Sequence, residues 1–126
     1  VVIAADTVVA VDGQVLGKPG DEAEAAEMLA ALSGREHTVY TGVTVRRGGE
    51  TVTEHEATAV RFRPLTGEEI ADYVATGEPM DKAGAYGAQG YASLFVEGIR
   101  GDFFNVMGLP LCRLGKMLGK LGVKLL

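Results

Sequence analysis

The sequence predicts one α/β domain, in which a mixed β-sheet is flanked by helices over residues 1–126. Two observations predict this class. Runs of β-branched or alternating apolar residues, which are typical of strands, occur in both halves of the chain. Segments with apolar residues at helical spacing lie between and after those runs. Because short turns join several of the strands, hairpins are expected within the sheet, and a purely parallel sheet is not.

The first part of the chain is predicted to form a hairpin followed by a helix. Residues 1–11 are a β-branched run, and residues 14–16 follow it across the turn pair Asp12-Gly13, which is typical of a tight hairpin. Asp21 is expected to begin a helix that ends at Gly34. The apolar face of that helix consists of Ala25, Met28, Leu29 and Leu32.

Two long strands are predicted next, over residues 37–47 and 51–62, with Gly48-Gly49 as the turn between them. Alternate residues of each strand are apolar or threonine, so one face of each strand is expected to be buried. Residues 54–56, which read Glu-His-Glu, are expected to form a solvated section of the second strand. Together these two strands predict the centre of the sheet.

The C-terminal half is predicted to contain two further helices. Thr66 and Glu69 have the spacing of a capping box, which indicates a helix that ends near Gly77. An apolar stretch at residues 94–99 follows later, and a last helix begins after Pro110. Its leucines recur at helical spacing along one side, and three lysines at i+4 spacing form a second, solvated side.

Composition excludes several classes of protein. The net charge of −5 argues against a general nucleic-acid binder. No run of eighteen apolar residues is present, so no membrane span is expected, and the cytoplasm is the default location. The single cysteine, Cys112, excludes an internal disulfide and is expected to be buried. His37 and His55 occur singly, so they are expected at the surface and not as metal ligands.

Asp6 is the first candidate for chemistry, because it follows an apolar run in Ala5-Asp6-Thr7. An aspartate is disfavoured in a buried strand unless it is paired or binds a metal. The alternative is a turn or capping role, but residues 7–11 stay apolar beyond it. A functional role is therefore favoured. The lysine of Gly17-Lys18-Pro19 is a weaker signal by itself.

The stretch EPMDKAGAYGAQG, residues 78–90, is the second candidate. It combines charged side chains with glycine and alanine, and it has neither the period of a helix nor that of a strand. Small residues let a backbone approach a ligand closely, and lysine is a good partner for phosphate. With Asp6 and Lys18, this stretch predicts phosphate chemistry, with a hard divalent cation held by carboxylate and phosphate oxygens. A Walker-type motif is absent.

Four segments together resemble the Maf family. They are AADTVVAVDGQVLGKP, MLAALSGREHTVYTGV, EPMDKAGAYGAQG and GDFFNVMGLPL, which occur in this order along nearly the whole chain. Proteins of that family are nucleoside triphosphate pyrophosphatases and are also described as septum-formation inhibitors. The loop with Asp-Lys-Ala-Gly, Tyr-Gly and Gln-Gly resembles the subgroup that acts on dTTP and UTP.

The resemblance implies that water converts a nucleoside triphosphate to the monophosphate and pyrophosphate, with Mg²⁺ or Mn²⁺. Asp6 matches the proposed general base and is also an expected metal ligand. Asp81 and Glu78 match carboxylates that bind the metal or support its ligands. Further positions match residues that contact the substrate. Thr7 and Gln89 match specificity positions, and Lys18 and Lys82 match phosphate-facing positions.

The family pattern also includes an N-terminal Ser-x-Ser-x-Arg-Arg segment, which these 126 residues do not contain. We therefore expect an N-terminally truncated Maf-like domain, equivalent to the C-terminal two thirds of the family's usual length and reduced in activity. One alternative is a nucleotide-binding or interaction module that restrains septum formation without turnover. A purely structural domain is a further alternative. A nucleoside triphosphate is the expected substrate. Self-association as a homodimer is also expected as a candidate.

Overall fold

The computed structural model describes all residues from 1 to 126. The strands are β1 (Val2–Val11), β2 (Gln14–Leu16), β3 (Glu36–Arg47), β4 (Glu50–Phe62) and β5 (Val96–Arg100). The helices are α1 (Glu22–Leu32), α2 (Gly67–Ala75), α3 (Phe103–Val106) and α4 (Leu111–Lys120). Three short 3₁₀ turns, Glu78–Asp81, Ala83–Ala85 and Tyr91–Leu94, connect α2 to β5. None of the helices is both long enough and apolar enough to cross a membrane.

The five strands form one sheet in the order β2-β1-β3-β4-β5. All four pairings are antiparallel, and the register places Thr7 opposite Thr41 and Thr41 opposite Glu56. The predicted combination of one sheet with flanking helices is therefore confirmed. The predicted hairpins at Asp12-Gly13 and Gly48-Gly49 supply two of these pairings.

The helices pack on one face of the sheet. The larger core cluster joins α1 and α2 to strand residues that include Val9, Val39 and Phe62, and the smaller one joins α4 to Val43 and Val45. Residues that alternate with these point to the other face, where Tyr40 is 40% exposed. The fold therefore has two layers, and the helical layer meets the sheet on the face that carries Thr7 and Thr41.

Residues 54–56 were predicted to be solvated, and for the two glutamates this prediction was wrong. Glu54 and Glu56 are half-buried, because they lie on the same face of β4 as Thr58 and α4 covers that face. The Arg113 guanidinium is 2.6 Å from Glu54 and 3.3 Å from Glu56, and Lys120 is 2.7 Å from Glu54. Strand alternation and a cationic helix therefore explain a carboxylate pair on the covered face.

Two further predictions of burial were wrong. His37 is 1% exposed, because it alternates with Val39 on the covered face of β3. Cys112 is exposed, because α4 buries the side that carries Leu114, Met117 and Leu118. In both cases the side of the element that is buried depends on where its neighbours pack. A single polar or sulfur-containing residue does not reveal that side.

Candidate functional site

A cavity of about 260 Å³ opens between β1, the loop after β2, the residues 81–86 and the turn after α3. It is lined by five of the residues predicted to carry chemistry: Asp6, Thr7, Lys18, Asp81 and Lys82. Gln89 is exposed and, like Glu78, does not line the cavity. The structure therefore brings the two aspartates, the threonine and the two lysines together from three separate segments. Glu78 and Gln89 lie outside this group.

A larger hollow of about 450 Å³ lies between β2 and α1. Its polar side chains are Gln14, Glu24 and Glu27, and no lysine or arginine lines it. An anionic ligand would meet only like charge there. The smaller cavity, which has two lysines, is therefore the candidate site.

The edge of β1 explains the position of Asp6. Strand β3 pairs with one edge of β1 along residues 2–10, whereas β2 pairs with the other edge only along Val9–Val11. The backbone at Asp6 and Thr7 therefore has one edge without a strand partner, and this edge borders the cavity. Because Asp6 is exposed there, the strand accommodates a carboxylate without burying its charge.

Thr7 is connected to the centre of the sheet through hydroxyl groups. Its Oγ1 atom is 2.9 Å from Oγ1 of the fully buried Thr41. The Thr41 hydroxyl donates to the backbone carbonyl of Asn105 at 3.5 Å. The side-chain amide of Asn105 donates to the Val39 carbonyl at 3.1 Å and to the Thr58 hydroxyl at 3.0 Å. These contacts fix α3 against the sheet, and the following turn at residues 106–108 then borders the cavity.

Asp81 and Lys82 enter the site as a pair. The Lys82 ammonium is 3.1 Å from the Asp81 carboxylate. This hydrogen bond, supported by the charge of Lys82, lowers the pKa of Asp81. Lys18 adds a smaller effect in the same direction. The carboxylate is therefore ionised at neutral pH and is paired with Lys82.

Gly84 holds this segment against β1. Its backbone N–H donates to the Gly17 carbonyl at 3.0 Å, which joins the segment to the loop that carries Lys18. Its φ angle is +68°, and an added Cβ atom would lie 2.7 Å from Cγ2 of Val9. Only glycine fits this left-handed and closely packed position. The contact brings Lys18 and Lys82 to one cavity.

Tyr86 forms part of the cavity wall and is anchored from behind by His37. The Tyr86 hydroxyl is 2.6 Å from Nε2 of His37, and the ring of Phe62 packs edge-on against the Tyr86 ring. Burial lowers the pKa of His37 to about 4 and raises the pKa of Tyr86. Both side chains are therefore neutral at pH 7, and a hydrogen bond between uncharged groups supports the wall.

Three residues in this description were missed from the sequence: Thr41, Asn105 and His37. Each is a buried polar residue whose partners lie at least 34 positions away along the chain. Strand alternation placed Thr41 on the predicted buried face with Val39 and Val43, and it could have placed His37 there as well. No comparable signal in the sequence identified the partners.

The donor set suits a phosphate-bearing ligand. Lys18 and Lys82 supply positive charge, and the carboxylates of Asp6 and Asp81 can share a hard cation with phosphate oxygens. No group of three or more histidine, cysteine, aspartate or glutamate side chains in the chain could hold a metal ion by itself. The residues present therefore fit a divalent cation that takes part of its coordination from the ligand.

Comparison with known proteins identifies the family of this chain. The sequence model of the family described as Maf-like protein matches residues 1–121. A protein of Symbiobacterium thermophilum named dTTP/UTP pyrophosphatase is 58% identical over 122 residues, which cover 97% of this chain and 63% of the relative. Relatives with the same name in Moorella thermoacetica and Clostridium novyi are 60% and 53% identical, with 97% and 99% of this chain and 64% and 66% of the relatives covered.

The chain thus spans slightly less than two thirds of the length of the curated relatives that it matches, from 63% to 66% in these three. The similarity extends over nearly all of the described chain, including β1, residues 78–90 and α3, which build the cavity. This chain belongs to the Maf family.

Proposed function

We propose that this chain is the part of a nucleoside triphosphate pyrophosphatase that binds the phosphates of dTTP or UTP and carries Asp6. The single observation that carries the proposal is the convergence of Asp6, Lys18, Asp81 and Lys82 on one cavity. The names of the relatives supply the nucleotide class. Hydrolysis would yield the nucleoside monophosphate and pyrophosphate.

The lysines and the carboxylates have different roles in this proposal. Lys18 and Lys82 bind phosphate oxygens as point charges. Asp6, exposed at the free edge of β1, accepts a proton from the attacking water or anchors the metal. The water oxygen bonds to the α-phosphorus, the bond from that phosphorus to the oxygen bridging to the β-phosphorus breaks, and pyrophosphate leaves. Mg²⁺ or Mn²⁺, held by Asp6 and Asp81 with phosphate oxygens, would neutralise charge on the leaving group.

Base recognition is assigned to Thr7 and Gln89. Thr7 lines the cavity, and its hydroxyl is held near Thr41. Gln89 is exposed and outside the cavity wall, so its role as the second specificity residue stays a prediction. A cytoplasmic location, a role in septum formation and a homodimer are also proposals, since the names of the relatives state none of them.

The test measures pyrophosphate released from dTTP and UTP with Mg²⁺. It uses the 126-residue chain and the same chain joined to the segment that the Symbiobacterium relative has beyond the match. We expect release by the joined protein, with a weaker signal from the shorter chain. Asp6→Asn should lower kcat by about 10²- to 10⁴-fold, the usual contribution of a general base. Asp12→Asn, which changes an exposed carboxylate in the adjacent turn, should keep kcat.

Two outcomes would contradict the proposal. If neither protein releases pyrophosphate but dTTP raises the melting temperature, the chain is a nucleotide-binding module without turnover. If dTTP changes neither quantity, the site does not bind this nucleotide.

A metal titration of an active enzyme separates the two roles of Asp6. A higher metal concentration at half-maximal rate in Asp6→Asn assigns Asp6 to the metal. An unchanged value assigns it to the water.

A further inference from the structure

The carboxylate of Glu78 lies at the centre of a hydrogen-bonded ring that closes the segment 78–91. One of its oxygens accepts from the Tyr73 hydroxyl, and the other accepts from the backbone N–H of Tyr91 at 3.1 Å. The Tyr73 oxygen also accepts from the backbone N–H of Gly87 at 3.0 Å. The side chains of Tyr73 and Glu78, here called the loop clamp, therefore bind two backbone amides of the segment to helix α2.

The backbone wraps closely around this carboxylate. A Cβ atom added at Gly90 would lie 1.8 Å from Oε1 of Glu78. One added at Gly87 would lie 3.3 Å from Cε of Lys82 and 3.6 Å from Cδ of Glu78. The stem of Lys82 and the Glu78 carboxylate thus both lie close to the same glycine. A displacement of Glu78 would change the support under Lys82.

The clamp lies inside the fold and not in the cavity. Tyr73 is 3% exposed, and burial, with the hydrogen bond to Glu78 as a second cause, raises its pKa. Glu78 is half-buried, forms no ion pair, and does not line the cavity. Both of its oxygens accept a bond from the fold, which is how a partly buried carboxylate is compensated without a cation.

We propose that Glu78 and Tyr73 are positioning residues that fix the backbone path from Lys82 to Tyr91 and so direct Lys82 into the phosphate cavity. This inference rests on the proposed function, because it assumes that Lys82 binds phosphate. It also assigns Glu78 a role different from the metal ligand expected from the sequence. In this proposal the Glu78 carboxylate also explains why residue 90 is a glycine, because the carboxylate occupies the space that a side chain would need there.

The test uses two substitutions with matched controls. Tyr73→Phe removes one hydroxyl group and with it both of its hydrogen bonds, and Tyr40→Phe removes a hydroxyl from an exposed tyrosine on the open face of the sheet. Glu78→Gln keeps the side-chain size, and Glu68→Gln makes the same change at an exposed position of α2. All four variants are made in the joined protein described above, and circular dichroism verifies that each is folded.

The first readout is amide hydrogen exchange at Gly87 and Tyr91, which requires no enzymatic activity. Tyr73→Phe should accelerate exchange at Gly87 by about tenfold or more, since the buried N–H loses its acceptor and the closed form is less stable. Glu78→Gln should accelerate exchange at Tyr91. Exchange rates equal to those of Tyr40→Phe and Glu68→Gln would overturn the clamp itself, whatever the enzyme does.

The second readout separates positioning from a general loss of structure. A smaller folded fraction lowers kcat and leaves KM unchanged, whereas a displaced Lys82 raises KM for dTTP. We expect KM to rise about tenfold in each clamp variant. The double variant should be no worse than the more affected single variant, because the two side chains act as one unit. Faster exchange with an unchanged KM would overturn the link to Lys82.

The third readout tests the competing role of Glu78 and the dependence on the proposed function. If Glu78 binds the metal, Glu78→Gln raises the Mg²⁺ concentration at half-maximal rate and Tyr73→Phe does not, which would overturn the positioning role. If the joined protein without substitutions does not hydrolyse dTTP, the proposed function fails. Inorganic pyrophosphate then replaces dTTP as the probe of Lys82, and calorimetry must show about tenfold weaker binding in both clamp variants for the inference to stand.

Discussion

Nε2 of His37 lies 2.6 Å from the hydroxyl oxygen of Tyr86, and this bond joins strand β3 to the wall of the cavity that Asp6 and Lys82 line. Both residues are buried, and the ring of Phe62 packs edge-on against each of them. Because burial holds the pKa of His37 at about 4, the imidazole is neutral when the protein is folded at pH 7. The cavity wall therefore depends on an imidazole that is buried in its neutral form.

The first prediction concerns stability at acidic pH. His37 has a lowered pKa in the folded state, so between the unfolded value of 6.5 and about 4 the unfolded chain binds more protons. The free energy of unfolding should therefore fall as the pH falls through this window, by about 2 kcal/mol between pH 7 and pH 5. Urea unfolding at the two pH values measures it.

The control for this prediction is His37→Gln, which cannot be protonated. The pKa values of Glu54, Glu69 and Asp81 are also lowered in the folded protein, but these groups titrate mostly below pH 5. The variant should therefore lose much less stability between pH 7 and pH 5 than the parent does. Equal losses in both proteins would show that His37 is not the cause.

The second prediction concerns Lys82 as a phosphate ligand. Lys82→Met keeps much of the apolar stem that passes over Gly87 and removes the charge. Binding of inorganic pyrophosphate should weaken by about tenfold or more, since hydrogen bonds to charged groups contribute about 1.5–3 kcal/mol. Calorimetry measures this. Lys116→Met, on the exposed side of α4, should bind pyrophosphate as the parent does, and a matching loss there would indicate a nonspecific charge effect.

The third prediction concerns Gly84. An alanine there would have a Cβ atom 2.7 Å from Cγ2 and 3.0 Å from Cβ of Val9, at a φ angle of +68°. Overpacking against a β-branched residue costs about 1–3 kcal/mol, and the left-handed backbone adds to that cost. Gly84→Ala should therefore lower the melting temperature. Gly49→Ala should not, because nothing lies within 4 Å of an added Cβ there.

The fourth prediction concerns base preference. Gln89 offers a donor and an acceptor from one amide, which matches the carbonyl and N–H edge of thymine or uracil and not the edge of cytosine. Gln89→Ala should reduce the preference for dTTP and UTP over CTP and GTP more than it reduces kcat. The measurement is kcat/KM for the four nucleotides. An unchanged ranking, or an equal loss for all four, would remove Gln89 from base recognition.

Most elements of this fold were predicted from the sequence, but the short helix α3, which borders the cavity, was not. Strand alternation, the capping box of Thr66 and Glu69, and the turn pairs of the two hairpins are local signals, and all of them correspond to elements of the structure. The Asp6 and Asp81-Lys82 signals were also local, since charge in an apolar or small-residue context is visible without the fold. That these residues line one cavity is visible only in the structure.

The burial of the polar residues, and the groups that compensate them, became apparent from the packing of the folded chain. His37 is neutral because it is buried in the core, where the hydroxyl of Tyr86, 49 positions away, meets its ring. Glu54 and Glu56 are covered because α4 brings Arg113 across β4. Glu78 supports the loop because Tyr73 and the amide of Tyr91 occupy its oxygens. Burial and partner depend on packing between distant elements, and a local pattern carries no record of that packing.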